Sequence, residues 1–257
     1  MPLLHAKDLW FSYGETPAID GLTLTLEPGQ FVSLIGPNGS GKSTLLRILL
    51  GRLHCRGLIQ WEGREIRAWP RRELARLIAY LPQSPASETD QTVGDALRLG
   101  RAPYWGLFGL ESAADEKVVR SVAELLELSS LLDRRLDELS GGQRQRVFVG
   151  RCLAQQPKVL LLDEPNTYLD LKHQFELYAM LRRLAREQAI AILAASHDVN
   201  LAGAFADEMV VLAKGKIAAI GPPIEVLRAD LLEDVYGLPM ESIPRTGGPP
   251  LVAPKSF

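Results

Sequence analysis

Cysteine is almost absent: the 257 residues contain only Cys55 and Cys152, far apart and in no metal-ligand spacing. That excludes a disulfide framework or a zinc finger, and the two are expected to be reduced thiols of a cytosolic protein. An excess of charge of one sign is also missing. Lys and Arg number 29 against 31 Asp and Glu, giving a net charge of −2 and a pI near 6.1. No basic field is available for coating nucleic acid, which is therefore not an expected partner. Long apolar runs are lacking too. The longest are "VLLL" and "AIAILAA", far short of the roughly 20 residues of a membrane-spanning helix. The N-terminal "MPLLHAKDLWFSYG" has neither a basic n-region nor a sustained apolar h-region, so no signal peptide is expected. Work at a membrane would need spans supplied by another chain. There is no internal repeat, and only "TGGPPLVAPKSF" (246–257) is compositionally biased. It is expected to be an extended or loose tail.

What is present is an alternation of short apolar runs with helical patterns. "GQFVSLI" (29–35) reads as a strand ending in glycines, followed by a helix over "KSTLLRILLGRL" that stops near Gly51. "LIAYLPQ" (77–83), "KVLLLDEP" (158–165) and "AIAILAASH" (189–197) read as further strands, and "EMVVLAKGKIAAIG" (208–221) as a hairpin around "AKGK". "LKHQFELYAMLRRLAREQ" is helical, as is most of Thr92 to Gln156. Ser112 and Asp115 have capping-box spacing, and "RRELAR" (71–76) is expected to be a solvated helix face. Near-continuous apolar strands alternating with helices imply an α/β fold with a mostly parallel sheet covered on both faces. The helical middle reads as an insertion.

Two stretches are suited to phosphate. The segment Gly36-Pro37-Asn38-Gly39-Ser40-Gly41-Lys42-Ser43-Thr44 fits GxxxxGK[ST], with a strand expected before it and a helix after. Its glycines let backbone N–H groups turn inward around phosphates, Lys42 would reach the β- and γ-phosphates, and Ser43 would ligate Mg²⁺. About a hundred residues later, "ELSGGQRQR" puts Ser140, Gly141, Gly142 and Gln143 at the mouth of a helix. S-x-x-Q is also a capping box, which alone would start a helix. A capping box does not need two glycines, each costing up to about 1 kcal/mol in a helix, unless something approaches the backbone closely.

Polar residues emerge where the apolar strands end, the edge at which open α/β sheets bind ligands. Asp163 suits Mg²⁺, and Glu164 could deprotonate an attacking water. Gln83 follows "LIAYLP" and could sense the metal and the water. His197 follows "AILAAS" and could hydrogen-bond a γ-phosphate. Each of the last two, taken alone, reads more often as a satisfied loop residue, but their emergence at the same edge as the P-loop and Asp163 reverses that reading.

Together and in this order, "GPNGSGKST", "YLPQ", "LSGGQRQR", "VLLLDEP", "YLD" and "SH" resemble an ATP-binding cassette (ABC) ATPase over nearly the whole chain. The resemblance implies a P-loop NTPase (RecA-like) core, an antiparallel β part and an inserted helical subdomain. The core would occupy about 1–84 and 157–245, and the subdomain about 85–156. It further implies ATP and Mg²⁺ as cofactors and a head-to-tail homodimer, with ATP between one chain's P-loop and the other's LSGGQ. By the same resemblance Tyr13 stacks on adenine, although Trp10 and Phe11 lie close, and Asp170 mediates cross-talk between sites. Glu164 is the base, and Lys42, Gln83 and His197, in the roles read above, complete the catalytic set. Asn166 stands where the family usually has threonine or serine. "GRAPYWGLFG", "SHDVNLA", "GPPIEVL" and "VYGL" are similar to importers of iron-siderophores, haem and vitamin B12. Such a subunit would sit on the cytoplasmic face of the membrane beneath permease subunits, served indirectly by a substrate-binding protein. Tyr104, Trp105, Leu107 and Phe108 would then either pack the subdomain or receive a permease helix. The alternatives are an importer ATPase for another substrate, a soluble ABC ATPase and a catalytically dead subunit.

Overall fold

The computed structural model describes residues 1–84, 90–106, 111–167 and 169–255. Its central sheet has six strands: β3 (Phe31–Ile35), β6 (Ile78–Leu81), β7 (Val159–Asp163), β8 (Ala191–Ala195), β9 (Glu208–Ala213) and β10 (Lys216–Gly221). The order is β10-β9-β3-β8-β7-β6, parallel throughout except for the edge strand β10. β3, β7 and β8 are buried at every position, which is why their sequences are apolar runs rather than alternations. Successive residues still face opposite ways. Leu160 and Leu162 enter one core cluster, and Val159 and Leu161 enter the other.

A second sheet is antiparallel, formed by β1 (Leu4–Tyr13), β2 (Thr16–Leu26), β4 (Arg56–Trp61) and β5 (Arg64–Glu65) in the order β2-β1-β4-β5. It covers one face of the central sheet, with α1 (Lys42–Leu49) between the two. Leu22, Leu24, Leu26 and Trp61 meet Leu45, Leu49, Leu161 and Leu193 there. The other face is packed by α6 (Leu171–Gln188) and by α3 (Val93–Leu99), α4 (Ala113–Leu125) and α5 (Gly141–Ala154). The fold class read from the sequence is therefore the observed one.

α3, α4 and α5 are tied together from inside. The Arg101 guanidinium pairs with Asp115 at 2.8 Å, both groups nearly buried, and also donates to Ala154 O (2.7 Å) and Gln156 Oε1 (2.9 Å). Ser112 caps α4 through Asp115 with both bonds of a capping box. The Ser112 hydroxyl and amide, with Arg101, hold the Asp115 carboxyl below the usual range.

Two readings from the sequence change. α2 (Arg71–Leu77) is not simply solvated, because Arg72 and Arg76 donate to Pro103 O at 2.7 and 3.0 Å, and Arg72 also to Trp105 O. Guanidinium groups serve here to tie a helix to the segment at Pro103 and Trp105, not as a charged face. The expected loose tail contains β12 (Leu251–Pro254), paired antiparallel with β11 (Met240–Ile243). This hairpin follows α8 (Pro223–Val226) and α9 (Ala229–Tyr236) and lies on α7 (Val199–Phe205). The Asn200 side chain donates to Val252 O (3.0 Å) and accepts from Val252 N–H (2.8 Å), which orders the segment.

Candidate functional site

β3 runs into the glycine loop and α1. Gly36 has φ 146° and a Cβ there would stand 2.1 Å from Leu212 O, while one on Gly41 (φ 109°) would meet Ala18 O at 2.5 Å. Any other residue at either place would push the loop away from the strands that shape it. Gly41 also leaves α1 with no side-chain cap, so its first amides remain available to an anion. Lys42 turns back on its own loop, donating to Gly36 O (2.7 Å) and Pro37 O (3.1 Å). Burial pushes its ammonium below the ordinary lysine value, against the pull of the Glu164 and Asp163 carboxylates. The Ser40 hydroxyl is buried without a partner, whereas Asn38 and Gly39 are exposed at the loop's tip.

β7 delivers the acids. Asp163 accepts from the Ser43 hydroxyl at 2.8 Å and from the Tyr80 hydroxyl at 3.3 Å. Burial raises its carboxyl above the usual range, and these two hydrogen bonds oppose the rise. Glu164 sits at φ 54°, a left-handed conformation costly for a non-glycine residue and frequent at functional positions. One Glu164 oxygen receives Gln83 Nε2 at 2.6 Å, and the other contacts His197 Nε2. Gln83, Glu164 and His197 thus meet at the ends of three strands, beside the Ser43–Asp163 pair. Thr167 Oγ1 bonds back to Glu164 O at 2.9 Å, so the turn after the acids keeps a hydroxyl tie with Asn166 inside it.

The remaining expected residues lie elsewhere. Tyr13 is half exposed, stacked edge-on against Phe11 at 4.8 Å, while Phe11 packs on the core. Ser140 caps α5, accepting Gln143 N–H (3.2 Å) and giving its own N–H to Gln143 Oε1 (3.1 Å). Asp170 caps α6, accepting the His173 amide (2.9 Å) and contacting the His173 ring (2.7 Å). Those contacts hold its carboxyl below the usual range. The His173 ring in turn lies against Gly142, where a Cβ would meet it at 3.2 Å. Gly142 and Asp170 therefore meet on His173, while Ser140 and Gln143 bond to each other at the start of the same helix as Gly142.

Sequence reasoning missed two residues here. Tyr80 was visible as the polar position in "LIAYLPQ", next to the expected Gln83. His173 stands three residues after Asp170, the spacing that shares a helix face. Tyr104 is occupied within the chain: its ring lies 3.8 Å from Arg101 and 4.7 Å from Arg76, and its hydroxyl donates to Gln155 O. Leu107 and Phe108 lie outside the described residues.

The residues fit a nucleotide triphosphate and a hard cation. The loop offers uncapped amides, an unpartnered buried hydroxyl and Lys42, while Ser43 and Asp163 offer the oxygen donors Mg²⁺ prefers. A glycine loop between a parallel strand and a helix, beside an acidic strand end, defines a P-loop nucleotide-binding protein. The ABC transporter family profile matches residues 19–167. The ferric enterobactin transport ATP-binding protein FepC of Escherichia coli (strain K12) is 38% identical over 253 residues, 98% of this chain and 93% of that protein. The hemin import ATP-binding protein HmuV of Thermobifida fusca (strain YX) is 41% identical over 255 residues, 98% and 88% of the two chains. A metal-chelate type ABC transporter solved in an inward-facing conformation superposes with a TM-score of 0.87 at 28% identity, covering 100% of this chain and 98% of that one. The chain belongs to the ABC transporter family, as an ATP-binding subunit with ATPase activity.

Proposed function

We propose that this subunit powers import of an iron chelate, a ferric siderophore or haem, as a head-to-tail homodimer beneath two permease subunits. The names of the relatives support the cargo class, and cobalamin stays in the set only through the sequence resemblance. No helix among the described residues is long and apolar enough to cross a membrane. Peripheral attachment at the cytoplasmic face, through permease subunits fed by a substrate-binding protein, accords with that. A cavity of about 930 Å³ is lined by Leu50, Arg52, Trp69, Leu74, Tyr80 and Gln155, and Tyr80 joins it to the Asp163 side of the site. It is a concave surface of a size that a permease segment could enter.

The convergence of Gln83 and His197 on Glu164 carries the catalytic reading. In the resting chain the base is held by two neighbours and Lys42 by its own loop, so nothing is poised. ATP arriving on the loop draws Lys42 from the Gly36 and Pro37 carbonyls to the phosphates. Bound Mg²⁺, held by Ser43 and Asp163 with Gln83 nearby, would neutralise phosphate charge. His197 then moves its hydrogen bond to the γ-phosphate, and Glu164, freed, takes the proton of the attacking water. Tyr13 is available to stack on adenine. Ser140 to Gln143 and Asp170 serve the nucleotide held by the second copy. Glu164→Gln preserves the side chain's size but takes no proton. Turnover should fall by at least about 10²-fold, the size of a lost general base, while ATP binding persists and an ATP-bound dimer accumulates. Wild-type turnover in that variant would remove Glu164 from the mechanism.

A further inference from the structure

Nothing after β10 belongs to the motifs that handle ATP, yet the segment from α8 to β12 is built onto two of them. Val226, Leu227, Leu232, Met240 and Val252 share one buried cluster with Ile35 and Ala202. Ile35 immediately precedes Gly36, the first residue of the phosphate loop. Ala202 lies in α7, the helix that starts just after His197. One apolar cluster thus spans the roots of two elements that face phosphate in the proposed mechanism.

Two polar contacts sharpen the point. Asn200, three residues past His197, holds β12 by both ends of its side-chain amide, as a neighbouring strand would. The start of α7 is fixed from the other side by Asp198, whose carboxylate accepts the Asn200 and Leu201 amides at 3.0 and 2.9 Å. Tyr236, the last residue of α9 and the tyrosine of "VYGL", packs against the same cluster as Ile35, the residue before Gly36, and its hydroxyl is buried without a partner. The hairpin is itself closed, since Glu233 accepts from Met240 N–H (2.8 Å) and from the Lys255 ammonium (3.1 Å).

We propose that the C-terminal lobe is a positioning strap for ATP hydrolysis. Tyr236 sets the root of the phosphate loop, and the grip of Asn200 on the tail strand sets the helix that carries His197. Neither residue touches nucleotide; each acts through the backbone of one that does. A buried hydroxyl lacking a good partner is costly to leave unmet. In this proposal the loop, once closed on phosphate, brings backbone at Gly36 to that hydroxyl. The strap therefore favours the loaded loop, and its loss shows in ATP affinity before it shows in folding.

This inference rests on the assignment of the loop and His197 to phosphate, and the test separates the two. Purified full-length variants are assayed for steady-state ATPase, for binding of a fluorescent ATP analogue, and for thermal midpoint. Tyr236→Phe keeps the ring and removes the hydroxyl. It should raise the KM and the analogue's Kd about 2- to 10-fold, the effect of one ordinary hydrogen bond, with kcat near wild type and the nucleotide-free midpoint equal to or above it, since the lost hydroxyl has no partner. Asn200→Ala should lower kcat several-fold with KM little changed, and Asn200→Asp, which keeps the acceptor for Val252 N–H, should fall between. If both variants lower only the midpoint, the lobe is a stabilising appendage and the proposal is overturned. A control His197→Ala enzyme with full turnover would instead sink the reading of His197, and the Asn200 arm with it, leaving the Tyr236 arm to decide the loop.

Discussion

Helix α1 begins behind Gly41 with no side chain on its amides, whereas α5 begins behind Ser140, which closes a full capping box with Gln143. Both starts are rich in glycine and both suit an anion, but they differ in how many of their donors are free in the single chain. At α1 no side chain takes the first amides, and Lys42 is parked on two carbonyls of the same loop. At α5 the Ser140 and Gln143 amides are taken by the capping box, which lies at the surface or only partly buried, and those of Gly141 and Gly142 are left to an anion. A phosphate that displaces the box gives up about 1 kcal/mol. The first grip is open throughout. The second is partly closed on itself, and in the proposed dimer it opens to the partner's nucleotide.

The strongest way to break this comparison is to loosen the helices that present the second grip. Arg101→Ala strands Asp115 as a nearly buried, unpaired carboxylate and removes the tie to Ala154 O. The loss should be about 3–5 kcal/mol of stability, as for breaking a buried ion pair, read by chemical denaturation. ATP-analogue binding by the folded fraction should be spared, because the P-loop core is untouched. Equal loss of analogue affinity in that fraction would show that the two regions are not separable.

Lys42→Ala attacks the first grip. A lysine–phosphate contact contributes about 1.5–3 kcal/mol, so nucleotide affinity should drop roughly 10- to 100-fold. The smallest expected effect is that of Ser140→Ala. Removing the cap should cost about 1 kcal/mol of stability and leave nucleotide binding by the isolated chain unchanged, while turnover at the dimer falls. A large affinity loss in the isolated chain would mean that Ser140 already serves the chain's own nucleotide.

The parallel core was legible because β3, β7 and β8 are buried on both faces and so read as unbroken apolar runs. The Ser112 and Ser140 capping boxes were legible because a cap is a local, fixed-spacing arrangement. The antiparallel sheet was known only through family resemblance. Its strands β1 and β2 are half exposed and carry several register shifts, which blur the two-residue period. The tail was opaque for a different reason: its proline- and glycine-rich composition hid that Asn200, some fifty residues upstream, supplies its partner. Tyr80, His173 and Tyr236 share that cause. Each acts on a group that only the fold brings near. Arg72 and Arg76 looked like solvent charges because a run of arginines does not reveal that carbonyls wait across a loop.

The central claim is that the two grips hold one nucleotide only across two chains. Lys42→Ala disables the loop. Gly142→Asp should disable the signature, since its Cβ meets the His173 ring at 3.2 Å and its carboxylate would face the γ-phosphate in the proposed dimer. At an effective dielectric of about 20, two like charges roughly 4 Å apart repel by on the order of 4 kcal/mol, enough to oppose closure. Each homodimer then has two defective composite sites. A tagged heterodimer of the two variants pairs a sound loop from one chain with a sound signature from the other, leaving the second site doubly broken. Nucleotide trapping on that isolated heterodimer should recover to about one nucleotide per dimer, as two-fold symmetry with composite sites requires. No recovery over either mutant homodimer would mean that both grips serve ATP within a single chain, and would contradict the account.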